Sequence, residues 1–216
     1  LPTAPEAVVV VPPLEPEAVS FSGLARAAVT MSANPSGRIS ATTADHVMAG
    51  LSGRIAAVLD DGPCPVGLES TIISFASETP ILLRAGGYAQ EELEGVLGHK
   101  LQKRTHSSSN PRAPGMLAQH YSPRTPLELA QNYVHQGKDN KRIAYIRFRA
   151  DEPGPSWATH LFAFSKSGDL QEAAAQLFAL LRTLDAADYD LIIAETVPEQ
   201  NLGRAINDRL IRAAAK

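Results

Sequence analysis

The chain has 216 residues, 44% hydrophobic and 20% charged, and its 20 Lys and Arg against 23 Asp and Glu leave a formal charge of −3. That length accommodates one large domain or two small ones at about 100–200 residues each, and the composition excludes a disordered tail, a fibrous repeat and a surface basic throughout that would coat nucleic acid. A single cysteine, Cys64, excludes an internal disulfide and a Cys-rich zinc site; no apolar run approaches the ~18 residues of a membrane span, and an intracellular, cytoplasmic setting follows.

Pro2, Pro5, Pro12, Pro13 and Pro16 surround the apolar run Val8–Val11, which suits one short strand and no long helix. After Ser32-Ala33-Asn34-Pro35-Ser36-Gly37, Thr42 or Thr43 is placed to cap a helix with Val47, Met48 and Leu51 on one face and Gly53 at its end. Ile55–Leu59 reads as a buried strand, Ser70–Phe75 and Ile81–Arg84 as two further strands, and Gln90–Leu97 as a helix stopped by Gly98. His99–Leu127 reads as an irregular connection with four prolines, carrying Lys100, Lys103, Arg104, Arg112 and Arg124 and no Asp or Glu, which points to a local anion site. Beyond it, Ile143–Phe148, Leu161–Phe164 and Leu191–Ala194 read as strands. Leu170–Leu184 reads as a helix with an apolar face of Ala173, Leu177, Leu180, Leu181 and Leu184, and Leu202–Ala214 as a closing amphipathic helix. This alternation describes a small open sheet covered by helices.

Four segments carry groups suited to chemistry. Ser32–Ser40 places hydroxyl and amide side chains around Pro and Gly, as in a loop that converges on anionic oxygens, although a plain helix-capping loop has the same composition. In Gly67-Leu68-Glu69-Ser70-Thr71-Ile72 the commoner reading is an ordinary strand start with Glu69 in solvent. Arg84, ahead of Ala85-Gly86-Gly87, suits bidentate phosphate recognition, though a surface Arg at a strand end is the commoner case. Pro114-Gly115-Met116 and His120-Tyr121-Ser122-Pro123 make a rigid turn with two hydrogen-bonding rings, able to close over a nucleotide or to serve as a structured linker with His120 capping a carbonyl. Cys64, between two prolines, reads as a small apolar residue, and the six His residues have no zinc spacing.

Taken in order, Ser32–Gly37, Leu59–Cys64, Gly67–Ile72, Leu82–Gly87, Pro114-Gly115-Met116 and His120–Pro123 resemble the YrdC-type threonylcarbamoyl-adenylate synthases in their long form, and Asn201–Leu210 resembles that family's closing helix. The resemblance covers roughly residues 30–216. It implies an α/β fold: a partial YrdC-like mixed twisted sheet over 1–98, a linker over the active site at 99–140, and a small Rossmann-like α/β domain over 141–216. It further implies that ATP, bicarbonate and L-threonine are joined into threonylcarbamoyl-AMP with release of pyrophosphate. Mg²⁺ would neutralise the triphosphate, and a downstream tRNA threonylcarbamoyl transferase system would use the product; direct contact with tRNA would be weak or indirect. By position, Ser32, Asn34, Ser40, Arg84, His120 and Tyr121 would contact ATP, and Thr30 and Ser70 would lie against threonine. The family's Pro-Thr-Glu-Thr-Val-Tyr-Gly-like and Lys-x-Arg-Pro segments do not occur, and residue 1 is Leu. The sequence is therefore expected to represent a longer enzyme incompletely, or to be a truncated form without synthase activity. An RNA-binding or regulatory α/β module is the alternative.

Overall fold

A computed structural model describes residues 8–11, 33–103, 120–137 and 140–215. Strand β1 (Val8–Val11) pairs in parallel with β2 (Ala57–Asp60), and between them lies helix α1 (Ala44–Leu51). Thr43 caps α1 by accepting the His46 amide at 3.2 Å, as its hydroxyl predicts. Two expectations fail here. Only Val47 of the anticipated apolar face is buried, with Met48 44% exposed, and β2 begins at Ala57 and is largely exposed rather than buried. The reason is that β2 belongs to a two-stranded sheet, in which its one strand neighbour among the described residues is β1.

A second small sheet holds β3 (Ile72–Ser74), shorter than the sequence suggested, antiparallel to β4 (Ile81–Arg84), with β5 (Gln102–Lys103) parallel to β4. Helix α2 (Gln90–Leu97) ends where predicted. Gly98 takes the left-handed conformation and returns its amide to the Glu94 carbonyl at 3.0 Å.

The C-terminal sheet is entirely parallel, in the order β6-β9-β7-β8, from β6 (Leu127–Leu129), β7 (Ile143–Arg149), β8 (His160–Ser165) and β9 (Leu191–Ala194). It starts inside the stretch read as irregular connection, because Leu127 and Leu129 bury themselves beside β9. Helix α3 (Leu170–Ala186) links β8 to β9, and α4 (Gly203–Ala214) follows β9. One sheet face, through Ile146, Phe164 and Ile192, packs against Leu177, Leu181, Ile206 and Leu210 of the helices. The other face, through Ile143, Tyr145, Leu191 and Ile193, is covered by Tyr133 and Trp157 from loops. All four residues of β9 are buried, which explains its unbroken apolar run.

The same core takes in Ile39, Leu68 and Tyr121, which come from outside this sheet. Gly67, next to Leu68, has φ +69° and lies so close to α3 that a Cβ would sit 2.6 Å from the Ala175 Cα. No other residue permits both that conformation and that approach. The N-terminal loops are thus docked on α3 and α4 by close packing.

Asn207 of α4 is 3% exposed and serves the Val197 backbone on both sides, accepting from its amide at 2.9 Å and donating to its carbonyl at 2.8 Å. Asn207→Ala leaves both backbone groups buried without these partners, an expected loss of about 2–4 kcal/mol in urea unfolding.

Candidate functional site

The serine loop, residues 33–40, is held from within and from both sides. Asn34 donates its amide to the Pro35 and Arg38 carbonyls at 3.0 and 3.3 Å. The Ser122 amide donates to the Gly37 carbonyl at 2.9 Å, forming a short parallel bridge with Arg38. The serine loop and the His-Tyr-Ser segment therefore touch directly, through Gly37 and Ser122. Arg182 of α3 donates to the Ser40 and Ile39 carbonyls at 2.9 and 2.6 Å.

Ser70 is exposed, and the Arg84 guanidinium reaches across to it, donating to its carbonyl at 2.8 and 3.2 Å and to its hydroxyl at 3.2 Å. Gly86 makes this approach possible, since a Cβ there would collide with the backbone of Glu69 and Ser70. Glu69 is not solvated, contrary to the commoner sequence reading. Its Oε1 accepts the Ser40 hydroxyl at 2.6 Å, and its Oε2 accepts Arg209 Nε and Nη2 at 3.1 and 3.0 Å.

Of the remaining expected residues, Ser40 is 5% and Tyr121 1% exposed. In this structure they support the site and present almost no surface to a ligand. Tyr121 has φ 62°, a conformation rare outside glycine, which turns its ring into the core against Phe178 at 5.4 Å and beneath Arg209 at 5.5 Å. His120 is the member of the pair left half-buried. Its amide donates to the Arg212 carbonyl at 3.3 Å, and its Nδ1 is buried with no hydrogen-bond partner among the described residues. Its ring therefore does not cap a carbonyl through Nδ1. Thr30, Ser32 and the Pro114-Gly115-Met116 turn lie outside the described residues.

Of the five cations on the connection, only Lys100 and Arg124 have described side chains. Arg124 pairs with Asp185 at 3.3 Å and Lys100 with Glu94 at 2.6 Å, while Arg104 and Arg112 lie outside the described residues. Lys100, Gln90 and the Leu101 amide hold the Glu94 carboxyl at about 2. At the β8–α3 turn the amides of Ser167, Gly168 and Asp169 all donate to Ser165 Oγ, at 3.3, 2.9 and 2.8 Å, so the turn satisfies its own donors. No three His, Cys, Asp or Glu side chains converge as a metal site among the described residues. No described helix is long and apolar enough to cross a membrane. Burial pushes the Cys64 thiol pKa up, which suits the small apolar reading rather than a nucleophile.

Arg209 was visible in sequence only as part of the closing helix. The available signal was its position, because Ile206, Leu210 and Ala213 form the buried stripe of α4 and a guanidinium among them requires a carboxylate elsewhere.

The Arg84 guanidinium, the exposed Ser70 hydroxyl and a His120 ring nitrogen without a hydrogen-bond partner among the described residues make up the candidate site, where separate loops of an α/β fold meet above the buried Arg209. Comparison with known proteins makes this specific. The family profile described as "Threonylcarbamoyl-AMP synthase, C-terminal domain" matches residues 88–215, and the one described as "Telomere recombination" matches residues 8–86. The chain belongs to the Sua5 family of threonylcarbamoyl-AMP synthases. It is 36% identical to the threonylcarbamoyl-AMP synthase of Bacillus subtilis over 94% of the chain and 60% of that relative. It is 33% identical to the Pyrococcus abyssi protein of the same name over 85% of the chain and 56% of the relative. The crystal structure of P. abyssi Sua5 complexed with L-threonine superposes with a TM-score of 0.71 at 32% identity, covering 85% of this chain and 56% of that one. The chain thus spans between half and two thirds of the length of these relatives.

Burial lowers the His120 pKa from its ordinary 6.5, with Glu69 opposing and Arg212, Arg209 and Arg84 reinforcing. The unfolded chain therefore takes up the proton first, so this group's contribution to stability is complete above pH 6.5 and falls as the pH drops below it. NMR titration of the His120 ring is expected to give a midpoint below 6.5. Glu69→Gln, which removes the one opposing charge, should lower it further; an unchanged midpoint would contradict this charge arrangement.

Proposed function

We propose that the protein represented by this chain forms threonylcarbamoyl-AMP from ATP, bicarbonate and L-threonine, releasing pyrophosphate and water. The observation that carries this reading is the Arg84–Ser70 contact beside His120, built from the motifs the family shares, in a chain whose relatives are named for that reaction. The reaction concentrates negative charge on the phosphates and on the carboxylated amine of threonine. Positioning and fixed donors can supply much of the acceleration for such a transfer.

In this reading Arg84 faces the nucleotide phosphates, Ser70 and Thr30 lie against threonine, Ser32 and Asn34 shape the nucleotide pocket, and His120 offers a neutral nitrogen at its edge. Ser40 and Tyr121 act by holding these residues in place. The carboxylates of the site do not fit a dedicated Mg²⁺ centre, since Glu69 and Asp208 are both engaged by Arg209. Mg²⁺ would enter on the triphosphate, as part of the substrate. The product would pass to a downstream system that modifies adenosine in tRNA, in a cytoplasmic setting where ATP and tRNA are at hand.

Pyrophosphate release from ATP by the full-length protein is expected to depend on both threonine and bicarbonate. Arg84→Ala should lower it about a hundredfold while leaving circular dichroism unchanged. Release without threonine dependence, together with a salt-sensitive shift of tRNA that survives Arg84→Ala, would favour the RNA-binding alternative.

A further inference from the structure

We propose that Arg209, on the last helix of the C-terminal unit, is a positioning residue of the nucleotide site, acting through Glu69. The proposal rests on the functional reading above for its activity test, and on geometry alone for the rest.

Arg209 is 0% exposed, so it meets no substrate in this structure; whatever it contributes passes through its neighbours. Those neighbours are distinctive. Nε and Nη2 bind Glu69, the residue before Ser70; Nη1 donates to the Ala85 carbonyl at 2.6 Å, the residue after Arg84; and the guanidinium lies over the ring of Tyr121, the residue after His120. Three separate segments that each carry a proposed substrate-facing side chain are thus gripped one residue away from it by a single group. Through Oε1 of Glu69 the grip extends to a fourth, because the Ser40 hydroxyl donates there at 2.6 Å. Arg182 of α3 fixes the Ser40 backbone from the opposite side, at 2.9 Å. The serine loop is held by its carbonyls directly from α3 and, by way of Glu69, through its hydroxyl from α4.

Only a planar fork with several donors makes these contacts together. A lysine at this position keeps the charge but has a single nitrogen, unable to span both Glu69 and Ala85 in the same way. The site's charge is also arranged for support rather than for substrate binding: Glu69 and Asp208 both accept from Arg209, whereas Arg84 donates to the backbone and hydroxyl of Ser70.

The test uses the full-length protein and the variants Arg209→Lys, Glu69→Gln, the double variant, and Asn207→Ala as a destabilised comparison on the same helix. Arg209→Lys and Glu69→Gln are each expected to lower kcat/KM for ATP at least tenfold, and the double variant to lose no more than the worse single one. Amide hydrogen exchange should quicken at residues 33–40 and 120–122 in Arg209→Lys while β7 and β8 keep their protection. Asn207→Ala should leave kcat/KM for ATP within about threefold at temperatures where it is folded. Equal activity loss in Asn207→Ala, additive losses in the double variant, or unchanged exchange at residues 33–40 in Arg209→Lys would each overturn the proposal. If the unaltered protein shows no threonine-dependent pyrophosphate release, the functional reading fails, and the exchange measurement still decides whether Arg209 holds the loop.

Discussion

A guanidinium removed from water must find its partners inside the protein, and the burial of Arg209 imposes that requirement on the whole molecule. Glu69 has to arrive opposite α4, Ala85 has to turn its carbonyl inward, and Tyr121 has to lie beneath the charge. Each of these groups comes from a different stretch of chain, so satisfying one side chain fixes the relative positions of three loops. Packing alone would leave such loops free to slide; directional bonds to a rigid fork do not.

Around this point the apolar core makes the same connection in a less directional way. Ile39, Leu68 and Tyr121 share one core with Leu177, Phe178 and Ile206, so the N-terminal loops are not separately folded objects resting on a C-terminal support. Gly67 records how close the contact is, with its Cα set against the backbone of α3. The parallel sheet beneath provides the stiffness. Its one helical face takes the loops through α3 and α4, and its other face is closed by Tyr133 and Trp157.

The sequence was most informative where local rules decide structure. The limits of β4 and α2, the glycine stop at Gly98, the Thr43 cap and the buried run of β9 all follow from propensity, capping and hydrophobic pattern. It was least informative where a partner distant in sequence decides. Nothing local to Ile55–Leu59 reveals that its strand stays largely uncovered, and nothing near Glu69 reveals a cation on α4. Leu127–Leu129 was hidden among prolines, because a three-residue strand becomes evident only beside β9. Tyr121 was legible as an unusual residue but not in its direction. Its ring serves the core because the backbone there adopts a conformation that composition does not announce.

The Glu69–Arg209 pair joins residues 140 positions apart. At a synthesis rate of about 5–20 residues per second, Glu69 waits on the order of 10 s after it is made before its counter-charge exists. During that interval the serine loop lacks its anchor, and the carboxylate that will orient it is still hydrated. The loops that come first along the chain therefore reach their final arrangement among the last, after α4 has been translated and has folded back onto them.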